Sequence, residues 1–404
     1  MIIFDDGLGQ LGPMTDLRAS FEVRTGMHTT ATRIAGCWPK ALAGYWVPPR
    51  LADTVAERAN APVNMLPNEE TVVCVNGRWA MPDANLKLAL NEAAVEQASG
   101  HVVAAHFRRA DAEYFLTTGQ LHERTQVVKI GSRVLYRYPW DVIGLIKQTV
   151  PQDIMSQKLT GGKDAADIAQ VVGSHPVVIA ESARVYPNVV FDAENGPIIV
   201  HDRAVIRPGA ILCGPCSIGE DSTVVDRALI KANTVIGPYC KVGGEIGATI
   251  FQGFSNKSHD GHLGDSWVGR WVNFGAGTTN SNLLNTYGEV TMRLDESGQR
   301  FRTGMTFLGS IIGDHVKLAI LTRLMTGTAI GTGAMIACTK PPPTTVRRFA
   351  WITDDGSRSF RLEKLIETAR TMMARRHVQM SEGYERLLRD LYAQSAAEPL
   401  HERA

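Results

Sequence analysis

From Val200 every sixth residue is aliphatic, through Ile206, Leu212, Ile218, Val224, Ile230, Ile236 and Val242, and the residue two places earlier is small in all but the first case, Ile198. A period of six fits neither an amphipathic helix nor a long half-buried strand. It fits a coil of three short strands, one branched side chain per strand pointing inward, stacked as a parallel β-helix. Ile179, Val185 and Phe191 precede in the same phase, with Glu194 to Gly196 inserted before Val200. The register loosens over Gly243 to Gly264 and recovers at Val268 and Phe274. It breaks again over Asn280 to Phe307, where Val290 to Leu294 and Gln299 to Arg302 flank Asp295 to Gly298 like a hairpin. Ile312, Leu318, Leu324, Ile330 and Ile336 resume it, and Pro341, Pro342 and Pro343 are expected to end it.

The first 170 residues follow other patterns. Met1 to Phe4, Val72 to Val75 and Val102 to Ala105 read as strands. Asp83 is expected to cap a helix carrying Leu86, Leu90, Ala93 and Ala94 up to Gly100, and Trp140 to Val150 reads as another helix. Strands alternating with helices predict an α/β domain with a mostly parallel sheet. A ligand then sits beyond the carboxyl ends of the strands, near Asp5, Asp6, Asn76, Gly77 and Arg78. Thr160 to Asp164 and Gly173 to Pro176 bracket the passage into the repeat. The expected division is therefore 1–172, 173–342 and a helical tail, 343–404, in which Leu362, Leu365, Ile366, Ala369, Met372 and Met373 form one stripe and Tyr384, Leu387, Leu388 and Leu391 another. Such stripes need a surface to dock on, either the prism or a neighbouring subunit.

Charge narrows the classes. With 42 Lys+Arg against 41 Asp+Glu, nothing points to nucleic acid. No apolar run is long enough to span a membrane and the amino terminus has no basic segment of a signal peptide, so a cytoplasmic protein is expected. Cys213 and Cys216 spell C-x-x-C, but Cys216 occupies the small-residue phase of the repeat, which favours packing over redox or zinc chemistry.

Candidate chemistry lies where the register loosens. Phe254 to Asp265 holds Lys257, His259, His262 and two carboxylates, and Trp271 to Asn282 adds Asn273, Asn280 and Asn282. Irregular loops on a rigid scaffold are where catalytic residues collect.

The segment from His259 to Asp265, then Val272 to Thr278 and Asn282, resembles the acetyltransferase site of the bifunctional N-acetylglucosamine-1-phosphate uridyltransferase/glucosamine-1-phosphate N-acetyltransferase family. Gly243 to Glu245, Phe254 to Lys257, Leu17 to Gly26 and Ala374 to Arg376 are similar to a bacterial side branch of it. The resemblance implies a nucleotidyltransferase-like α/β domain, a left-handed β-helix and a homotrimer. It implies acetyl transfer from acetyl-CoA to glucosamine-1-phosphate or a related amino-sugar phosphate, and uridyl transfer from UTP with Mg2+. His259 would be the general base, and His262, Asn273, Asn282, Lys257 and Glu245 would bind substrate. His262 stands where the family usually has a tyrosine, and Leu283 and Leu284 where a lysine is expected.

Against the family that it resembles, the amino-terminal half has Gln10 within the glycine-rich stretch, and Asn76 and Gly77 where that family has a metal-binding aspartate. Either Arg18, Glu22 and Arg24 rebuild a nucleotide site with them, or transfer has been lost and a sugar-nucleotide-binding protein remains. A third class is a γ-carbonic-anhydrase-like zinc site, with His259 and His262 joined by His201 or His315.

Overall fold

The computed structural model describes residues 1–39, 41–157, 164–295 and 298–397. They fall into two compact units: Met1–Leu11 with Leu17–Asp141, and Gly12–Asp16 with the chain from Val142 onward.

In the first unit six strands form one sheet, in the order Gly44–Trp46, Ile2–Phe4, Thr71–Asn76, Val102–Arg108, Glu92–Glu96, Gln126–Ile130. The sheet is mostly parallel, as expected: five of these strands run the same way, and Val102–Arg108, antiparallel to both neighbours, is the one reversed. The helix expected after Asp83 is absent. Asp83 instead takes the backbone N–H of Asn85 onto Oδ1 at 2.8 Å, and Ala93 and Ala94, fully buried, lie in the strand Glu92–Glu96. Adjacent strand residues face opposite sides of a sheet, so two buried alanines in succession mean that both faces are covered; pairing overrides helix propensity here.

The second unit is the parallel β-helix that the period of six predicts. Its strands stack in three ladders of six, nine and ten strands. The eight aliphatics from Val200 to Val242 are at most 1% exposed. Burying each such side chain contributes roughly 1.5–3 kcal/mol relative to leaving it in water. At the corner between the second and third ladders the chain turns through left-handed residues, among them Tyr239 (φ 57°), Phe254 (57°), Trp271 (63°) and His315 (60°). That conformation is costly for bulky side chains. Stacking offsets the cost, with ring centroids 4.8 Å apart for Tyr239 and Phe254 and 4.4 Å for Phe254 and Trp271.

Two details differ from expectation. The repeat does not stop at the prolines: Thr345–Val346 adds to the second ladder and Ala350–Thr353 to the third, closed by the antiparallel strand Gly356–Ser359. Proline has no N–H to give a ladder, so the three occupy a connecting stretch between strands. An inward position also carries Lys257, in register with Val242. The insertion hairpin forms, Thr291–Met292 against Phe301–Arg302, but its tip falls partly outside the described residues, as do Thr160 to Lys163.

Helices Leu362–Ala374 and Glu382–Ala397 dock on the β-helix of the same chain. The first buries Leu365, Ile366, Ala369 and Met373. From the second, Tyr384 shares a 2.8 Å hydrogen bond with His315 Nε2, and Tyr392 meets Phe349 edge-on. No helix among the described residues is long and apolar enough to cross a membrane.

Candidate functional site

His259 occupies the corner between Asn256–Lys257 of the third ladder and His262–Gly264 of the first, with its side chain exposed. Two features fix that corner. Gly261 adopts φ 121°, and a Cβ there would lie 2.2 Å from the Thr278 carbonyl of the next coil, so only glycine fits. From inside, the Lys257 ammonium donates to the carbonyls of Gly243 (3.2 Å) and His259 (3.0 Å). Burial pushes this amine down to about 8. Lys257, expected to bind substrate, thus faces inward and holds the His259 turn.

The remaining expected residues divide between two faces. On the first ladder, Glu245 pairs with His262 in register, His262 Nδ1 lies 3.4 Å from Glu245 Oε1, and Lys231 donates to that oxygen at 2.9 Å. The Lys231 hydrogen bond is the main reason that the Glu245 carboxyl titrates lower than usual. Asn282 donates to Asp265 at 2.6 Å. Burial raises the Asp265 carboxyl, opposed by Asn282, Lys147 and His262.

On the third ladder, Asn273 lies in register with Asn256 and Lys317. This column and helix Leu362–Ala374 enclose a groove of about 640 Å3, which Ser258, the neighbour of His259, also lines. Lys241, Arg375 and Arg376 give it a basic rim with Glu367 as counter-charge, and Phe254 and Trp271 give it aromatic lining. Arg376 donates to Asn256 Oδ1 at 2.8 Å. Lys317 is a lining residue that clustering along the chain does not reveal. Its signal was there: like Asn256 and Asn273, it immediately precedes an inward position of the repeat.

The first unit holds a cleft of about 590 Å3 beyond the ends of Ile2–Phe4 and Gly44–Trp46, where Asp5, Asp6, Trp46, Asn64, His101 and Thr118 meet. Asn76 and Arg78 stand behind it. Asp6 accepts from Arg78 Nε (2.9 Å) and Nη2, from Asn76 (2.8 Å) and from the Leu8 N–H (3.0 Å). Although burial opposes it, these bonds hold the Asp6 carboxyl below its usual range. Arg78 Nη2 also lies 3.0 Å from His101 Nδ1. Burial, with Arg78 second, lowers the imidazole.

Gly77 packs against Phe21, where a Cβ would meet the Phe21 Cβ at 2.7 Å and the ring carbon Cδ1 at 3.0 Å. Arg18, Glu22 and Arg24 do not line the cleft. Arg18 is buried, Glu22 accepts the Ala19 N–H and pairs with Arg58 at 3.0 Å, and Arg24 donates to the Met27 carbonyl.

Of the cleft carboxylates, Asp5 keeps acceptor capacity for the expected Mg2+, whereas Asp6 is already engaged. Such an ion takes one or two carboxylates plus substrate phosphates. The Asp6 oxygens already accept four donors, and each Asp5 oxygen accepts a backbone N–H, from Gly7 or Ser20. No group of three potential ligands occurs among the described residues. Within the one chain, His259, His262, His201 and His315 belong to no such group among the described residues, and Cys213 and Cys216 are free thiols.

Residues 1–159 match the family model of sugar nucleotidyl transferases. The chain is 26% identical over 200 residues to a bifunctional sugar-1-phosphate nucleotidylyltransferase/acetyltransferase of Sulfurisphaera tokodaii, covering 49% of this chain and 43% of that one. It is 33% identical over 111 residues to the bifunctional protein GlmU of Methanococcus vannielii (27% and 26% covered) and 24% over 258 residues to that of Burkholderia vietnamiensis (56% and 51%). The chain thus spans about half or less of the length of these relatives. Among solved structures, the acetyltransferase domain of PglB from Neisseria gonorrhoeae covers 67% of this chain at 16% identity and a TM-score of 0.20, too loose a likeness to carry an argument.

Proposed function

We propose that the protein makes an activated amino sugar: the β-helix transfers an acetyl group from acetyl-CoA to glucosamine-1-phosphate or a related amino-sugar phosphate, and the amino-terminal unit transfers uridyl from UTP to the sugar phosphate. The functional division would fall at about residues 172 and 342, and the working form would be a cytoplasmic homotrimer. The observation that carries the reading is the juxtaposition at one corner of an exposed imidazole, His259, with a groove that has an amide floor, Asn256 and Asn273, and a basic rim, Lys241, Arg375 and Arg376. Cations and aromatic rings beside a corner base suit a phosphate-bearing acyl carrier.

The step follows from the chemistry of the groups. The sugar amine attacks the thioester carbonyl, His259 takes the proton the amine sheds, the C–S bond breaks, and the proton passes to the departing thiolate. Asn273 and the His262–Glu245 pair lie on opposite sides of the corner, so each can hold a different part of the reacting pair. In a trimer, faces of neighbouring prisms would wall the exposed corner.

A second reading, a sugar-nucleotide-binding protein without transfer in the amino-terminal unit, is favoured by the four donors that occupy Asp6. Incubation with glucosamine-1-phosphate, acetyl-CoA and UTP separates the two, with free thiol and UDP-sugar followed together. Both products are expected. Thiol without UDP-sugar leaves the second reading, and neither product sinks the enzymatic one. Sedimentation at micromolar concentration should give three times the chain mass; a monomer would remove the trimer.

A further inference from the structure

The groove contains a second amine chemistry that the acetyl-transfer step does not use. Lys317 Nζ lies 2.7 Å from the Trp271 carbonyl and 3.0 Å from that of His315, and the residue lines the groove in register with Asn273. Two carbonyls and Cε take three of the four tetrahedral directions at the nitrogen, leaving one for a lone pair or a third proton. Lys257 makes the same double contact but is buried inside the coil and does not line the groove. Lys317 is therefore the amine of this type that a groove ligand can meet.

We propose that Lys317 is a self-acylation site, its amine accepting the acyl group of a thioester bound in the groove and thereby closing the groove to further ligand. This rests on the acetyl-CoA reading above. The nitrogen lone pair forms a bond to the carbonyl carbon, the C–S bond breaks, and the proton lost from nitrogen goes to the thiolate, so amide and thiol are the products. Burial, opposed by Asp314, brings the amine down to about 7, so a neutral nucleophile is available near neutral pH. The charged and titratable groups around it are Lys241, Asp314, His315, Glu367, Arg375 and Arg376. The amide would carry no charge and would fill part of the floor beside Asn273.

The test uses the full chain incubated with acetyl-CoA from pH 6 to 8.5, with peptide mass spectrometry of every lysine. Lys317 is expected to acetylate at least ten times faster than the exposed Lys364, with a rate that climbs through about pH 7 and then levels. Lys317→Arg should abolish that peptide signal while other lysines label as before. Labelling of Lys317 no faster than Lys364 overturns the proposal, as does a rate that still climbs beyond pH 8. Titration calorimetry with acetyl-CoA separates the two readings. No binding removes the acetyl-CoA reading itself, whereas binding and sugar-dependent turnover without Lys317 acetylation remove the self-acylation alone.

Discussion

At the residue scale, His259 and Lys257 divide the work of one corner. The first exposes an imidazole and the second holds the turn that presents it. His259→Ala should lower acetyl-transfer kcat by about 10² to 10⁴, the usual contribution of a placed general base. The melting temperature should hardly move, because the side chain is exposed. Raising the pH should restore part of the rate by deprotonating the sugar amine; a variant with wild-type kcat would sink the assignment.

Lys257 and Lys317 also predict how stability depends on pH. Unfolded, each amine keeps its proton up to the usual value of 10.5; folded, burial releases it at about 8 and about 7. In between, the unfolded chain binds more protons, so stability rises with pH. Below about pH 7 both states are charged and the full penalty is present. The urea midpoint should therefore climb from pH 7 to 8.5, and Lys257→Met with Lys317→Met should flatten the climb. The window stops there because the buried thiol of Cys74 is pushed up to about 12 and that of Cys216 is raised too, which opposes the trend once unfolded thiols ionise near 9. A flat wild-type profile would mean that the two amines stay charged in the folded protein.

At the scale of elements, the corners set what is tolerated. Gly261→Ala combines a strained φ with a Cβ 2.2 Å from a carbonyl, and should cost about 1–3 kcal/mol in urea unfolding while displacing His259. Unchanged stability together with unchanged kcat would mean that the turn can relax freely. The inward aliphatics were legible in the sequence because each faces the same environment, coil after coil. Lys257 was not, since a shortened coil puts it fifteen residues after Val242 and out of the period of six. The strand Glu92–Glu96 was misread as helix because its alanines are small to fit between two covered faces, and alanine also favours helix. Among the site residues, His259, His262 and Asn273 stood out by clustering along the chain. Their distribution over two faces follows from how coils stack, which spacing within one loop does not encode. Lys317 was overlooked because it is 44 residues from Asn273 and joins it only across a ladder.

At the scale of the whole molecule, the β-helix has unlike ends. Ala350–Thr353 is covered by Gly356–Ser359 and the docked helices follow. At the other end Gln170–Gly173, Val177–Ile179 and Arg184–Val185 are the outermost members of their ladders. A linear stack whose units touch only their neighbours opens like a zipper from its weaker terminus. Amide hydrogen exchange should accordingly run as a gradient, fastest around residues 170–185 and slowest near Ile218 to Ile246. Each added coil shields the amides beneath it, so the His259 corner, several coils in, would remain closed while the first turns breathe.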